Sequence, residues 1–406
     1  MCKSKSSTMA TTPKPRSSRS SRSSRSLPTT PTTPSTPSFP YNHQYPSSTP
    51  PATATGNSTA SSGTTTSSSL SATLSYLRDS LPCLVSFSDL STATNHFLSG
   101  RLSGTSWRCS ILNHDAAVFQ RTFRLPLHSD PPAFVSGLLS NLGKSHHAAL
   151  ARLLGASIAG GGDHIYLIYE FVPGASLSDL LRNPKNPNFT PLSTWMSRIQ
   201  IVADLSDGLE YIHSQSGTIH NRIKSSAVIV TDPGLRAKIC HFGSADLSGL
   251  LEESKLAKGQ KRIEGTRGYM APEIISGGSV SQQSDVYAFG VVLLELISGE
   301  EPVKFKFNKT SKEFERISLI ETANKAVEEG VEGVRKWVDS RLRDSYPVEA
   351  AERLIIVALR CVDADPEARP DMTSVAVKVS KIYLESKVWA ERVQPLTDFS
   401  VSIAPR

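Results

Sequence analysis

Two short stretches gather most of the side chains that could do chemistry at close spacing. IHNRIKSSAVIV (219–230) brings together His220, Arg222 and Lys224, and KICHFGSADL (238–247) brings together Lys238, Cys240, His241 and Asp246. Acid–base work needs a group that can release and regain a proton near neutral pH. Arg222 cannot accept one at any accessible pH. The first stretch therefore offers an imidazole and two cations, but no carboxylate. Asp232 and Asp246 flank the HFG triplet and are the carboxylates available to it. His241 as a ligand for a softer metal would need His, Cys or carboxylate partners, and none cluster around it in sequence. The five cysteines, Cys2, Cys83, Cys109, Cys240 and Cys361, are widely spaced with no CxxC. That usage implies reduced thiols, with neither a disulfide frame nor a zinc site.

The surrounding elements set how these residues can be positioned. Short runs rich in β-branched and aromatic residues predict strands at WRCSIL (107–112), AAVFQRTF (116–123) and HIYLIYEFV (164–172). PAFVSGLLSNLG (132–143) reads as a helix between the last two. Ser88 or Asp89 in SFSDLSTATNHF (86–97) is the expected cap of an amphipathic turn. From Leu177 onward the pattern is mostly helical: 192–215, 284–299, 318–330 and 350–362. A small β-rich lobe followed by a larger helical lobe is an α+β architecture. VKFKFNKTSKEFER (303–316) begins by alternating Lys and Phe; it is expected as a solvated loop between helices, with a docking strand as the alternative.

Composition divides the chain. Residues 1–75 are Ser-, Thr- and Pro-rich, with too few large apolar side chains to offset the entropy of ordering, and are expected to be disordered. The formal charge of +7 equals the seven cations Lys3, Lys5, Lys14, Arg16, Arg19, Arg22 and Arg25, with no acid before Asp79. The basic pI thus belongs to the tail, and nucleic-acid binding by the folded part has no support. No stretch approaches the ~20 apolar residues of a membrane span, and no secretory signal is expected.

Four further stretches carry a family resemblance. GTRGYMAPE (265–273) resembles the end of a protein-kinase activation segment, and SDVYAFGVVLLELISG (284–299) its buried central helix. RCVDADPEARPDM (360–372) resembles the Arg-containing C-terminal segment. FSDLSTATNHF resembles the opening segment of plant receptor-like kinases. Together, over about residues 84–386, they resemble the plant receptor-like kinase/Pelle group. The resemblance implies a bilobal kinase-like fold followed by a C-terminal tail at 387–406. It implies an ion pair between Glu273 and Arg369, and Asp285 holding the catalytic-loop backbone. It also implies His220 and Phe242 as packing members of an internal spine.

The same resemblance marks where the chemistry departs. Kinases use a Lys paired with a helix-borne Glu on the phosphates, two Mg²⁺ ligands, and an Asp at the substrate hydroxyl. Here the Lys position falls on Phe119 or Gln120, with Gln120 the degenerate equivalent; no Lys occurs between Lys14 and Lys144. Arg121 or Arg124 would be a poor stand-in, since a planar fork does not replace a compact ammonium. The partner Glu falls on Gly137 or Leu138, and Glu170 is the first glutamate of the chain. The phosphate loop (98–109) retains only Gly100 and Gly104. Of the Mg²⁺ ligands, Asp becomes His241 and Asn becomes Ala227, and the catalytic Asp becomes Arg222. Loss of a general base alone costs about 10²–10⁴ in rate. A cation beside a Mg²⁺ site adds repulsion of about 4 kcal/mol per unit charge at ~4 Å and effective dielectric near 20.

The expectation is a catalytically inactive receptor-like cytoplasmic pseudokinase, a scaffold or allosteric partner of an active receptor kinase. The rival is an atypical serine/threonine kinase with a rearranged site. No cofactor is expected. ATP without Mg²⁺ is the alternative, with Gly100, Gly104, Glu170 and Lys224 as its candidate contacts. Cys2 beside Lys3 and Lys5 is a lipidation candidate, and an acyl chain plus a basic stretch supplies the two signals that stable anchoring needs. The expected place is the cytoplasmic face of the plasma membrane or the cytosol; a chloroplast transit peptide is the alternative reading of the tail.

Overall fold

Strand alternation organises the small lobe. In the computed structural model, which describes residues 81–124, 130–182, 185, 189–251, 265–308 and 312–397, six strands form one sheet in the order β1-β5-β6-β4-β3-β2. They are β1 Cys83–Leu84, β2 Arg101–Ser103, β3 Ser106–Ile111, β4 His114–Thr122, β5 Leu153–Ile158 and β6 His164–Glu170. β1 runs parallel to β5, and the other pairs are antiparallel. Successive side chains point to opposite faces. Ala116 and Val118 of β4 therefore join Trp107, Tyr166 and Ile168 in an outer apolar cluster. Helix α1 (Phe87–Ala93) covers that cluster with Phe87, aided by Phe97. Its cap is Ser86, whose side chain accepts from the Asp89 amide at 3.1 Å, two residues earlier than Ser88. The other face of the sheet belongs to the main core, which continues through Phe123 and α2 (Pro131–Leu142) into the large lobe.

The large lobe opens with β7 (Gly174–Ser176), α3 (Leu177–Leu181) and the long α4 (Trp195–Ser214). β8 (Val228–Thr231) and β9 (Ala237–Ile239) pair with β7 in a three-stranded sheet. Two single-turn helices follow, α5 (Ser244–Leu247) and α6 (Pro272–Ile275). Then α7 (Gln282–Ser298) runs through the middle of the lobe, buried on all sides as its continuous apolar sequence requires. A capping box between Ser281 and Ser284 starts it, and Gly299 in the left-handed region ends it. Around α7 lie α8 (Leu319–Glu328), α9 (Gly330–Trp337), α10 (Val348–Cys361) and α11 (Met372–Thr397). α11 runs well beyond residue 386, so the first part of the expected C-terminal tail is helix.

Residues 303–308 and 313–316 are not a loop. They form a two-stranded antiparallel hairpin, β10 (Val303–Asn308) and β11 (Glu313–Ser318). The Lys–Phe alternation is a period of two, the strand period, and that wins over the polarity that suggested a loop. The readings for residues 1–75, including Cys2, lie outside the described residues. Among the described residues, no helix is long and apolar enough to cross a membrane.

Candidate functional site

One carboxylate anchors the loop quoted first. Asp285, in the first turn of α7, accepts from the amides of His220 (2.6 Å) and Asn221 (2.7 Å). His213 approaches the same carboxylate at 3.3 Å. The loop is thereby tied to the most buried helix of the lobe, and Asn221 is held at φ 57°. His220 is fully buried, with Nε2 2.9 Å from the Cys240 carbonyl oxygen. The Ala227 carbonyl accepts from the Cys240 amide at 2.9 Å, so the two stretches run side by side.

The HFG triplet keeps a turn with two left-handed residues, His241 at φ 73° and Gly243 at φ 74°. A non-glycine residue is rarely found there, and the surrounding structure must hold it in place. Phe242 is buried, and its carbonyl accepts from the Tyr169 hydroxyl at 2.8 Å. The His241 ring stands edge-on to Phe119 at 4.5 Å and to Tyr169 at 6.1 Å. Its Nδ1 is buried without a hydrogen-bond partner. Burial, and then the Arg121 charge, hold the His241 imidazole well below its ordinary pKa. It is a neutral, aromatic wall.

The β4–β6 register decides which β4 residue faces this wall. Phe119 pairs with Leu167 and Gln120 with Tyr166. Tyr166 belongs to the outer cluster, and so Gln120 lies on the face turned away from His241. Phe119, not Gln120, occupies the inward position, and Arg121 shares its face. Arg121 is mostly buried: desolvation and the nearby Arg222 charge bring its pKa down to about 10. Lys224 is lowered by burial and then by Arg222 and Arg121; its Nζ donates to Thr266 Oγ1 at 3.2 Å. Three cations therefore press on one another behind the aromatic pair. Below them a cavity of about 260 Å³ is lined by Arg222, Lys224, Thr266, Tyr269, Met270 and Ala271.

The other candidates are placed elsewhere. Glu170 pairs with Lys238 at 2.7 Å. Gly100 serves a close backbone approach: its carbonyl accepts from the Arg108 amide at 2.6 Å, and a Cβ there would fall on the Arg108 carbonyl oxygen. Gly104 sits in the open turn between β2 and β3. Asp232 is exposed in the β8–β9 turn, and Asp246 lies in α5 within electrostatic reach of Tyr169. Glu273 and Arg369 form a two-pronged pair, 2.8 Å on each side. Among the described residues, no group of three or more His, Cys, Asp or Glu side chains could hold a metal ion.

Sequence reasoning missed a polar network under the loop. Glu295, fully buried in α7, accepts from Ser225 (3.0 Å) and Tyr269 (2.7 Å) and pairs with Arg182 (2.7 Å). Burial raises its pKa against these partners. The available signal was a lone acid inside an otherwise apolar run. The network clamps α3, the loop and the 265–273 segment to one helix.

The chain matches the protein tyrosine and serine/threonine kinase family over residues 132–379. It belongs to that family. This kinase-family chain is 37% identical over 253 residues to the LysM domain receptor-like kinase 3 of Arabidopsis thaliana, a match covering 61% of this chain and 38% of that protein. It is 32% identical over 316 residues to the probable receptor-like protein kinase At2g47060 of Arabidopsis thaliana, covering 76% and 82%. It is 33% identical over 272 residues to the PTI1-like tyrosine-protein kinase 1 of the same plant, covering 66% and 72%. The kinase-family chain thus spans well under half of the LysM receptor-like kinase.

Proposed function

We propose that this kinase-family chain is catalytically inactive and acts as a scaffold or allosteric partner in receptor-kinase signalling. The observation that carries the reading is the Phe119 ring packed 4.5 Å from the His241 ring. Two positions where a kinase holds a phosphate-binding Lys and a Mg²⁺-binding Asp form an apolar contact instead. Mg²⁺ takes hard oxygen ligands in near-octahedral geometry. A neutral imidazole, the Ala227 methyl and the Arg222 guanidinium do not fit that ion, and no phosphoryl-transfer step is derived through it. The loop and its supports keep their order, as expected of a fold retained for binding.

The deciding experiment is incubation of purified full-length protein with labelled ATP and Mg²⁺ or Mn²⁺. No phosphate incorporation is expected. Incorporation that disappears on Asp246→Ala would overturn the reading in favour of an active kinase using a rearranged carboxylate. The proposed partner is an active receptor kinase, to be captured from plant membranes with the tagged chain. The proposed place is the cytoplasmic face of the plasma membrane, held by an acylated Cys2 and the basic residues that follow it. Imaging a C-terminally tagged chain beside its Cys2→Ser variant tests this. Release by Cys2→Ser supports it; plastid import or a diffuse signal in the wild type contradicts it.

A further inference from the structure

The β10–β11 hairpin is used neither by the cleft nor by the core. In an antiparallel pair, directly opposed residues share a face. Val303, Phe305, Phe307, Phe314 and Arg316 therefore line one side, and Lys304, Lys306, Glu313, Glu315 and Ile317 the other. Phe305, Phe307 and Phe314 are 56%, 49% and 71% exposed. Phe307 and Phe314 meet edge-on at 5.3 Å, which leaves about half of Phe307 and most of Phe314 in water. Clustered exposed aromatics of this kind mark interaction surfaces. Among the described residues the sheet has two strands, so β10 has a strand neighbour on one side and none on the other.

We propose that β10 docks an extended segment of a partner protein in which acidic and apolar residues alternate, added as a third strand along its outer edge. Strand addition supplies main-chain hydrogen bonds, and alternate side chains supply the specificity. A segment beside β10 places every second residue next to Phe305 and Phe307, where an apolar side chain extends the aromatic face. The intervening residues fall next to Lys306, where a carboxylate fits, and next to Lys304, which already pairs with Glu300. β10 already accepts such a pattern on its inner side: Glu313, Phe314 and Glu315 of β11 lie against Asn308, Phe307 and Lys306. The outer side offers Lys306 and the same ring row to a second strand of that kind. The base of the hairpin lies against the 265–273 segment, since a Cβ on Gly268 would meet Pro302 and Val303. A docked strand would therefore run beside the GTRGYMAPE segment.

Charge argues against two other occupants. A second copy pairing β10 with β10 would set lysines against lysines, which is destabilising in a sheet. A lipid surface would take the phenylalanine face, which carries a single cation, Arg316, while Lys304 and Lys306 project from the opposite face, away from the headgroups. The inference deepens the scaffold reading and rests on it for the role of the partner. Peptide binding is read without phosphoryl transfer, so either can fail while the other stands.

The test titrates fluorescein-labelled nine-residue peptides into the full-length protein. One peptide alternates Glu and Val, one has the same composition in blocks, and one alternates Lys and Val. The alternating acidic peptide should bind at least tenfold tighter than the block peptide. Phe305→Ser with Phe307→Ser should weaken it at least tenfold. Lys304→Glu with Lys306→Glu should reverse the preference towards the Lys–Val peptide, a gain that a misfolded protein could not show. Equal binding of alternating and block peptides would overturn the proposal. So would binding to phosphatidylserine vesicles but to no peptide, or concentration-dependent dimers abolished by the phenylalanine variants.

Discussion

Arg369 and Arg222 carry the same charge and meet opposite surroundings. The Arg369 side chain is fully buried and donates twice to Glu273, to Asp363 O at 2.8 Å and to Gln283 O at 2.9 Å. Removing one member of a buried pair costs about 3–5 kcal/mol. Glu273 keeps 21% of its side-chain surface, so Arg369→Ala should fall near the lower end, about 3 kcal/mol. Arg222 faces Arg121 and Lys224, and truncation relieves repulsion that offsets the contacts it gives up. Arg222→Ala should stay within about 0.5 kcal/mol, the range of ordinary substitutions. Urea unfolding of both variants measures the contrast; equal losses would remove the skeletal role assigned to the pair. Histidine supplies a pH prediction. Burial lowers the pKa of both His220 and His241. The unfolded chain therefore binds more protons below about pH 6.5, and stability must fall as pH drops through that value. The ceiling is about 1.4 kcal/mol per pH unit for each histidine. Around His241 the charged neighbours are Arg121, Arg222 and Lys224, with His220 beside it. Burial-raised Glu295 acts in the opposite sense, but it is common to wild type and variant. His241→Asn, which tolerates the left-handed backbone, should flatten the decline in melting temperature between pH 7.5 and 5.5. An unchanged slope would mean the imidazole is solvated.

At the scale of the element, the two glycines that bracket β2 separate. In sequence they were equivalent remnants of a phosphate loop. Gly100 sits at φ 66° with the Arg108 carbonyl oxygen where a Cβ would go, whereas Gly104 has open space around it. Gly100→Ala must strain the backbone and part β2 from β3, at a cost of about 1–3 kcal/mol. Gly104→Ala should change stability by less than about 0.5 kcal/mol. Thermal melts of the pair check this, and equal effects would deny Gly100 its packing role. The strand period governs the other element-level outcomes. Gln120 and Phe119 are adjacent, and the candidate site changes character depending on which one points inward. Hydrophobic pattern alone could not choose, because AAVFQR is apolar at both registers until Gln120. The same period was visible in VKFKF, where polarity pulled the expectation towards a loop.

For the whole molecule, the fold and the cleft make separate statements about nucleotide. A ligand at a hundred times its Kd stabilises the native state by about 2.7 kcal/mol, a shift of several degrees at most in a domain of this size. With the cleft floor occupied by Phe119 and His241, melting with and without ATP·Mg²⁺ should coincide. A Mg²⁺-dependent rise would show that oxygen ligands assemble here after all. The order of lobes, the buried central helix and the kinase resemblance were all legible in the linear chain. They rest on local periodicity, capping residues and motifs whose spacing is set along the backbone. The absence of any Lys between Lys14 and Lys144 and of any Glu before Glu170 was equally legible, because a missing residue type needs no alignment to be missed. The remaining features join residues far apart in the chain. The Phe119–His241 contact spans two lobes, Glu295 gathers Ser225, Tyr269 and Arg182, and Gly100 is defined by Arg108 across a turn. Such contacts depend on strand register and on which helix lies beneath a loop. These are settled only when the core packs, since a shift of one residue in β4 would carry Phe119 to the outer face and Gln120 into the cleft.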